Sequence, residues 1–453
     1  MSDVNGLRGY RGKLRQALES ANAEIGDEIE VILDKEVYKG ILLPRSELED
    51  EWHLIIKLKN GYNIGLRFKE NMRIKVTKKK EATLERALKR KRPRKMKNLP
   101  IVSILGTGGT IASRVDYRTG AVRSVFTPEE LIEIFPELED IAFIKTKIIM
   151  NKYSEHLRTA DWIKIAKETK KCVDEGANGV VIMHGTDTIG YTAAALSFSL
   201  QNLPVPIILV GSQRSSDRPS SDAALNLISA VRFAAEGPVA EVMVAMHENS
   251  SDSSVVFHRG TRVRKNHTSR RDAFQTIDAL PYARVINGKK IEVLSRDYRH
   301  RNMNRKLVLK ANFDEKVALL KFHPCFNPDL IDFLVEKGYK GIVIEGTGLG
   351  HIGEYVFDAI KRAVLKGVLI FMTSQCIWGR TNLRVYDTGR YLLDIGVIPL
   401  ENMIPETALV KLMWCFGQTK DEEKVREMML KNIAGEITDI SMPREVLESE
   451  NKL

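Results

Sequence analysis

Thr107 stands where a buried strand is predicted to end and a glycine-rich turn begins. The run Ile101–Leu105 is apolar and rich in β-branched residues, which predicts a parallel strand buried on both faces. Gly106 ends the run, and Gly108 and Gly109 follow the threonine, so backbone amides there can approach a ligand closely. In open α/β sheets, ligands bind at the carboxyl ends of the strands. A hydroxyl in this place has the surroundings of a nucleophile with its oxyanion hole.

A nucleotide-phosphate loop is the alternative interpretation of these glycines. Gly106 and Gly108 fit the start of G-x-G-x-x-G, but Ile111 occupies the third glycine position and no lysine follows as in a Walker loop. A second set, Gly348 to Gly353, does satisfy the pattern, but no acidic residue ends the next predicted strand, as a dinucleotide site requires. We therefore predict a threonine nucleophile at the first glycine set and an ordinary turn at the second.

Two further stretches bring polar side chains to the same chemistry. The apolar run Gly179–Met183 is followed by His184-Gly-Thr-Asp-Thr188, and a later polar stretch contains Lys265. Taken alone, a threonine or aspartate after a strand usually caps a helix, and a lysine in a polar loop is usually exposed. A second hydroxyl, a carboxylate and an amine come from Thr186, Asp187 and Lys265. With the hydroxyl of Thr107, these groups make a proton-relay set for acyl transfer. Asp187 would favour the ammonium form of the lysine, so orientation and binding of a substrate amine is an alternative role for it.

The composition is typical of a cytoplasmic globular protein of two or three domains. The 453 residues are 43% apolar and 28% charged, with no apolar run that could span a bilayer and no secretory signal expected. The four cysteines form no Cys-x-x-Cys pair, which predicts reduced and mostly buried thiols. No metal site is predicted, because His247-Glu248 has Ser251 where His-Glu-x-x-His needs its second histidine.

The net charge of +11 is concentrated in one short segment. Residues 78–97 contain eleven Lys and Arg residues against two Glu, so the rest of the chain is close to neutral. A solvated tether and a contact with a phosphate backbone are both open interpretations. The salt dependence of nucleic-acid binding would separate them.

The chain is predicted to begin with a small SH3-like or Sm-like β-barrel domain. A helix at residues 11–23 is followed by five short strand-like runs, and Asn60-Gly61 between two of them predicts a hairpin turn. Such barrels bind nucleic acid or peptides, or only pack against a neighbour. From residue 99, alternating strands and helices predict an α/β class with parallel sheets flanked by helices. We place the domains at residues 1–77 (β-barrel), 78–98 (basic linker), 99–294 (N-terminal α/β catalytic domain), 295–315 (connection) and 316–453 (C-terminal α/β domain).

Residues 99–417 resemble the L-asparaginase type I/II family of threonine amidohydrolases. The resemblance rests on Gly106-Thr-Gly-Gly-Thr-Ile-Ala112 and His184-Gly-Thr-Asp-Thr188, which lie at the predicted strand ends where the family has them. It implies the two-domain asparaginase/glutaminase-like fold. It also implies a nucleophile, Thr107, and a second catalytic group of Thr186, Asp187 and Lys265.

The same resemblance implies further site residues. Tyr117, in a stretch with the composition of a mobile loop, falls on the loop tyrosine that helps to activate the nucleophile when the loop closes. Ser154 and Glu155 match the pair that binds the α-carboxylate and α-amine of the substrate. Because bacterial periplasmic members have glutamine at the latter position, a preference for glutamine or asparagine stays open. The implied substrate-binding set is Ser154, Glu155, Gly106, Thr186 and Asp187.

The whole chain resembles the family of archaeal glutamyl-tRNA(Gln) amidotransferase D subunits, since plain asparaginases lack residues 1–98. Gly346–Gly350, Gly379–Arg384 and Pro405–Lys411 also fit that family. The resemblance implies a glutaminase that supplies ammonia to an E subunit. This partner would bind tRNA(Gln), activate the misacylated glutamate with ATP and Mg²⁺, and amidate it. A homodimer core in an α2β2 assembly is implied, with no cofactor in this chain and no membrane contact.

Two other functions remain open at this point. A stand-alone L-asparaginase with an N-terminal accessory domain would hydrolyse asparagine without a partner. A nucleic-acid-binding protein with a vestigial amidohydrolase domain would bind tRNA through residues 1–98 and lack amidase activity. The near-complete catalytic set argues against the second of these.

Overall fold

The N-terminal part of the chain folds as an antiparallel β domain, as predicted. The computed structural model describes residues 7, 9–34, 36–45, 50–58, 63–79, 99–109, 111, 113–115, 122–124, 135–214 and 221–441. The sheet order β4-β3-β2-β1-β5 brings the last strand back to the first, and the apolar face of the helix packs against the sheet. The elements are α1 (Gly12–Ser20), β1 (Glu28–Leu33), β2 (Glu36–Leu42), β3 (His53–Leu58), β4 (Asn63–Arg67) and β5 (Arg73–Lys78).

Two predictions for this region fall outside the described residues. The Asn60-Gly61 turn is one, although the strands on either side of it pair antiparallel, with Lys57 opposite Asn63. The basic linker is the other, because only Lys78 and Lys79 of it are described. Lys78 ends β5 and forms an ion pair with Glu28, so it belongs to the β domain.

The strands of the first α/β domain are β6 (Ile101–Gly106), β7 (Ser113–Val115), β8 (Val122–Ser124), β9 (Phe143–Ile148), β10 (Gly179–Met183), β11 (Leu200–Gln201), β12 (Ile207–Val210), β13 (Val242–His247), β14 (Ser254–Arg259), β15 (Val263–Lys265), β16 (Phe274–Thr276), β17 (Ala283–Ile286), β18 (Lys290–Val293) and β19 (Val308–Leu309). Eight of them form one sheet of order β18-β17-β14-β13-β12-β10-β6-β9. The helices of this domain are α2 (Thr159–Asp174), α3 (Ile189–Ser199) and α4 (Ala223–Glu236), with short 3₁₀ turns at Pro136–Asp140 and Ser154–His156.

Alternation along the central strands explains why this sheet has helices on both faces. Successive side chains of a strand point to opposite faces. In β10, Val181 and Met183 join the hydrophobic cluster formed with α4, whereas Val180 and Ile182 join the cluster formed with α2 and α3. A strand that is apolar at every position therefore sits in the middle of three layers.

The predicted α/β class is confirmed, and strands β13, β12, β10, β6 and β9 are parallel as predicted. The sheet is nevertheless mixed, because three antiparallel strands extend it on one side. Strands β14, β17 and β18 run antiparallel to their neighbours and lie in a stretch that the composition assigned to polar loop. Six residues join β13 to β14, too few for a parallel crossover, so the chain returns antiparallel. The stretch 113–126, predicted as loop, likewise contains the antiparallel pair β7 and β8.

The second α/β domain contains a four-stranded parallel sheet of order β20-β21-β22-β23. Thr347 and His351 form a bridge around Gly348 and Gly350, both with positive φ, so the predicted turn at the second glycine set is confirmed. The elements are β20 (Val317–Lys321), α5 (Asp329–Glu336), β21 (Gly341–Gly346), a 3₁₀ turn (Glu354–Val356), α6 (Phe357–Leu365), β22 (Leu369–Ser374), α7 (Asp387–Asp394), β23 (Ile398–Pro399), α8 (Pro405–Gln418) and α9 (Glu422–Leu430).

The two α/β domains share a hydrophobic cluster between α3 and α8. Phe198 stacks on Trp414 with ring centroids 5.7 Å apart. The N-terminal domain also contacts the first α/β domain, since Lys57 lies 5.7 Å from the ring centroid of Phe135. Among the helices of the described ranges, none is long and apolar enough to cross a membrane.

The cysteines are free thiols, but the prediction that they are mostly buried is wrong. Cys415 is buried and Cys172 half-buried, whereas Cys325 and Cys376 are exposed. The two exposed thiols follow β20 and β22, where the chain leaves the sheet for surface loops. The two less exposed thiols instead lie on helices α2 and α8, so burial of a cysteine depends on its place in the fold, which spacing alone does not give.

A buried ion pair holds the end of the described chain against α8. Lys411 Nζ lies 2.5 Å from Glu436 Oε1, and neither side chain is accessible to solvent. The ammonium also donates to the carbonyls of Met429 and Lys431, at 2.9 and 2.6 Å. Burial of two charges is tolerated only where such hydrogen bonds satisfy both.

We expect Lys411→Met to destabilise the protein by about 3–5 kcal/mol, because Glu436 would be left buried without its partner. Guanidinium denaturation followed by tryptophan fluorescence measures the loss. Lys424→Met is the matched control, because Lys424 and its partner Asp421 are largely exposed, and it should cost less than about 0.5 kcal/mol. Equal effects of the two substitutions would contradict the prediction.

Candidate active site

The candidate site lies where the strand order of the large sheet reverses. From β6 the chain goes to β9 on one side and then to β10 on the other, so the carboxyl ends of β6 and β10 flank the switch point. The two strands are parallel and in register, with Gly106 opposite Met183. Ligands of open α/β sheets bind at this kind of position. The register therefore places Thr107 and His184, the next residues on each strand, side by side.

Thr107 is buried and held by the neighbouring strand. Its Oγ1 donates to the carbonyl of Met183 at 2.8 Å, and its N–H donates to the same oxygen at 3.1 Å. Gly108 follows with φ +112°, and a Cβ there would lie 2.4 Å from the carbonyl oxygen of Lys152. Only glycine fits this backbone, so the turn after Thr107 depends on it.

Two more glycines allow three turns to meet at the site. A Cβ on Gly109 would lie 2.4 Å from the backbone nitrogen of Gly185, and one on Gly185 would lie 2.8 Å from Cβ of Ser154. Ser154 is buried, and its carbonyl accepts from Thr188 Oγ1 at 2.7 Å. The turns after β6, β9 and β10 are therefore in contact, although they come from separate parts of the chain.

Lys265 contacts both polar residues of the turn after β10. Its Nζ donates to Thr186 Oγ1 at 2.9 Å and lies 2.7 Å from Asp187 Oδ1. The lysine side chain is 14% exposed, whereas Asp187 is 67% exposed. Thr188, not Thr186, is the N-cap residue of α3, and its side chain makes no capping bond. The ordinary alternatives, a helix cap and a solvated lysine, therefore do not describe Thr186 and Lys265.

The structure does not join all the predicted residues. Within the described residues the Thr107 hydroxyl donates to Met183 O, and no hydrogen bond links it to Lys265 or Thr186. Glu155 is exposed, and the carbonyl of Gly106 accepts from Ile149 and Met150 of the next turn. The loop residue Tyr117 falls outside the described residues, so its role stays a prediction.

A polar network that the sequence did not indicate supports the loop after β12. The carboxylate of Asp222 accepts from the N–H groups of Gln213 and Arg214, at 3.0 and 3.1 Å. Asn226 Nδ2 also donates to Asp222, and its amide oxygen contacts His247 Nδ1 at 2.7 Å. The loop borders the site, because a Cβ on Gly211 would lie 2.8 Å from Thr186 Cγ2. Asp222 is the N-cap residue of α4, and an aspartate in such a place indicates a helix cap rather than a loop support.

His184 is a buried, neutral support of the same turn. Its Nδ1 donates to the carbonyl of Gly185 at 2.7 Å, and its Nε2 contacts Thr192 Oγ1 at 2.9 Å. Burial of the ring lowers the pKa of His184 to about 4. The imidazole therefore remains neutral wherever the unfolded chain would bind a proton, between about pH 6.5 and pH 4.

His184 should make the protein acid-sensitive. The unfolded state takes up a proton as the pH falls below about 6.5 and the native state does not, so stability falls from there and has lost roughly 3 kcal/mol by pH 4. Chemical denaturation at a series of pH values measures this slope. His184→Gln should flatten it, whereas His323→Gln, at an exposed position, should leave it unchanged. An unchanged slope in His184→Gln would show that the buried ring is not responsible.

Comparison with family models divides the chain as the fold does. Residues 101–299 match the family described as Asparaginase, N-terminal, and residues 316–429 match the Glutaminase/Asparaginase C-terminal domain. Residues 23–77, which include the five antiparallel strands up to Thr77, match the GatD N-terminal domain. The three matches cover most of the described chain.

Relatives and solved structures agree with these models. The chain is 52% identical to the D subunit of glutamyl-tRNA(Gln) amidotransferase from Pyrococcus furiosus over 96% of this chain and 100% of that protein. The D subunit from Metallosphaera sedula is 49% identical over 95% and 96%. The L-asparaginase of Thermococcus kodakarensis superposes with a TM-score of 0.66 at 34% identity, covering 75% of this chain and 99% of that one. L-asparaginase I of Vibrio cholerae gives a TM-score of 0.66 at 27% identity, over 75% and 100%. The chain therefore belongs to the family of glutamyl-tRNA(Gln) amidotransferase D subunits and has the asparaginase fold in its two α/β domains.

Proposed function

We propose that this chain is the glutaminase component of a tRNA-dependent amidotransferase. It hydrolyses the side-chain amide of glutamine and supplies ammonia for the conversion of Glu-tRNA(Gln) to Gln-tRNA(Gln) in a partner protein. The observation that carries the proposal is the contact of Lys265 with Thr186 and Asp187, next to the turn that holds Thr107. This arrangement occurs in a chain that matches proteins named as amidotransferase D subunits along nearly its full length.

In the first half-reaction, Thr107 Oγ attacks the amide carbon of glutamine and the C–N bond breaks. The hydroxyl proton leaves the threonine and a proton reaches the departing nitrogen, so that ammonia is released and a glutamyl ester forms on Thr107. The proton acceptor is Tyr117 or the relay of Thr186 and Lys265. The hydroxyl donates to Met183 O in this structure, and this hydrogen bond must break for the proton to pass to its acceptor.

Lys265 orients Thr186 for this chemistry. Thr186 Oγ1 accepts a hydrogen bond from Lys265 Nζ, so the hydroxyl proton of Thr186 is free to point towards the substrate. A hydroxyl polarised by a neighbouring amine is suited to donate to the oxyanion or to the departing nitrogen. One such oxyanion donor is typically worth about 3–4 kcal/mol of transition-state stabilisation.

The second half-reaction regenerates the enzyme. Water attacks the ester carbon, the bond to Thr107 Oγ breaks, and glutamate leaves with the threonine hydroxyl restored. The same proton relay works in reverse, taking a proton from water and returning one to Thr107. No metal or cofactor of this chain takes part in either step.

Asp187 suits the recognition of an amino-acid substrate. One of its oxygens, Oδ1, lies 2.7 Å from Lys265 Nζ, while the side chain remains 67% exposed. The carboxylate can therefore also accept a hydrogen bond from the α-ammonium group of glutamine. Glu155, exposed at the adjoining turn, would add a second carboxylate for the same ammonium. Ser154 and Gly106 would contribute at the α-carboxylate end.

The remaining steps are assigned to the partner, the E subunit. It would bind tRNA(Gln), activate the misacylated glutamate with ATP and Mg²⁺, and receive the ammonia. A homodimer of this chain would form the core of an α2β2 assembly in the cytoplasm. The contact of the N-terminal β domain with the catalytic domain, through Lys57 and Phe135, is consistent with a packing role for that domain.

We expect ammonia release from glutamine to exceed release from asparagine, and to rise when the E subunit and Glu-tRNA(Gln) are added to the purified chain. Lys265→Met should lower kcat by about 10²–10⁴-fold, the usual contribution of a positioned acid or base. A coupled glutamate dehydrogenase assay on the ammonia measures both effects.

Lys290→Met is the matched control, because Lys290 is 72% exposed and lies far along the sheet from β10. It should keep the activity of the parent chain. Fast hydrolysis of asparagine, at a rate that does not change when the partner and tRNA are added, would instead identify a stand-alone asparaginase. Full activity of Lys265→Met would contradict the proposed role of the lysine.

A further inference from the structure

Strand β15 and the turn before it have the site lysine on one side and two arginines on the other. Side chains alternate along a strand, so Val263 and Lys265 share a face while Arg264 points the opposite way. Arg262 lies in the turn just before the strand, and its side chain contacts the second α/β domain, as that of Arg264 does. Val263 packs in the core of the first α/β domain, next to the site. Arg264 forms a 3.4 Å ion pair with Glu406 at the start of α8. The strand that supplies Lys265 is therefore held from behind by the second α/β domain.

Arg262 makes the most extensive contacts on that rear face. Its side chain is fully buried. Nε donates to Gly435 O at 2.7 Å, Nη1 to Ile277 O at 3.2 Å, and Nη2 to Asn402 Oδ1 at 3.0 Å. Burial lowers the pKa of Arg262 to about 10, which leaves the guanidinium charged at neutral pH with all its donors. Because the guanidinium group is planar and donates hydrogen bonds to three separate segments, it fixes the positions of these segments relative to one another.

The acceptors of Arg262 are themselves fixed in place. We call residues 431–441 the C-terminal tail, where the described chain ends. Glu436 of the tail forms the buried ion pair with Lys411, next to the Gly435 carbonyl that Arg262 binds. Asn402 accepts from the N–H of Thr438 at 3.1 Å with the same oxygen that receives Arg262 Nη2. The tail and the Asn402 loop thus form one rigid support.

Thr261, in the same turn as Arg262, adds a second connection to the same support. Its Oγ1 donates to Ala434 O of the tail at 2.9 Å. Its carbonyl accepts from Thr407 Oγ1 of α8 at 2.7 Å. Each of these two contacts joins residues more than a hundred positions apart in the chain.

We propose that Arg262 is a positioning residue for glutamine hydrolysis, through which the C-terminal tail and the Asn402 loop set the location of Lys265. This inference rests on the proposed function and deepens it. Arg262 directly precedes β15 and Lys265 ends it, so Arg262 acts on the reaction through the strand and not by contact with the substrate. A misplacement of about 1 Å at a catalytic group can lower a rate by about 10²-fold.

The test compares kcat and KM for glutamine in Arg262→Gln, Arg262→Lys and Asn402→Ala, each assayed as the full chain with its partner well below its own Tm. Arg262→Gln should lower kcat by about 10–100-fold. Arg262→Lys should recover part of the loss, since it keeps the charge but not the fork. Asn402→Ala removes one acceptor of Arg262 and should also lower kcat, but by less. In a Lys265→Met background, Arg262→Gln should add less than about a twofold loss, because coupled sites are not additive.

Arg259→Gln is the matched control. Arg259 is also a buried arginine, but its acceptors are Leu280 O, Ser295 Oγ and Asp297, none of them on the tail or in the second α/β domain. It should lower Tm while keeping kcat within about twofold of the parent. An equal loss of kcat in Arg259→Gln, an unchanged kcat in Arg262→Gln, or full additivity with Lys265→Met would overturn the proposal.

A crystal structure of Arg262→Gln separates this inference from the proposed function. The inference predicts that the Lys265 Nζ to Thr186 Oγ1 distance, 2.9 Å here, opens beyond hydrogen-bonding range. An unchanged distance would overturn the positioning role whatever the activity. If the parent chain does not hydrolyse glutamine, the proposed function fails, and this distance still decides whether Arg262 positions Lys265.

Discussion

The parallel register of β6 and β10 is the constraint on which the site depends. With Gly106 opposite Met183, Thr107 meets the turn of His184 to Thr188 and donates twice to the Met183 carbonyl. A shift of one residue would turn every side chain of β10 to the other face of the sheet and break both clusters that cover it. The same apolar packing that stabilises the sheet therefore determines which polar residues meet at its edge. Glycine at 109 and 185 then lets the turns touch without a Cβ between them.

Lys265 reaches this edge by a different route, on a short hairpin of β15 and β16 outside the main sheet. Its position depends less on the sheet than on what lies behind the hairpin. Behind it are Arg264 with Glu406 of α8, and Arg262 with the C-terminal tail. Thr107, the proposed nucleophile, thus belongs to the rigid centre of one domain, whereas Lys265 is held at the junction of two.

The parts of the fold that followed from the sequence are those with local signals. Gly179–Met183 was predicted with the bounds that the structure has, because an uninterrupted apolar run before a polar turn indicates a central strand. Strand β14 was missed because Ser254, His258 and Arg259 are buried polar residues that make a strand look like loop. The contact of Lys265 with Thr186 had no signal in spacing, since the residues are 79 positions apart; the family resemblance supplied it. The partners of Arg262 on the tail lie 173 positions away, and nothing local could have indicated them.

The most direct test of the account is covalent trapping of the nucleophile. An electrophilic glutamine analogue, 6-diazo-5-oxo-L-norleucine, would be incubated with the chain and its partner, and the modified peptide identified by mass spectrometry. We expect a single adduct on Thr107, formed in step with the loss of ammonia release, slowed by glutamine and absent from Thr107→Ala. Inactivation with the adduct on another residue, or undiminished labelling of Thr107→Ala, would contradict the central claim that Thr107 is the nucleophile.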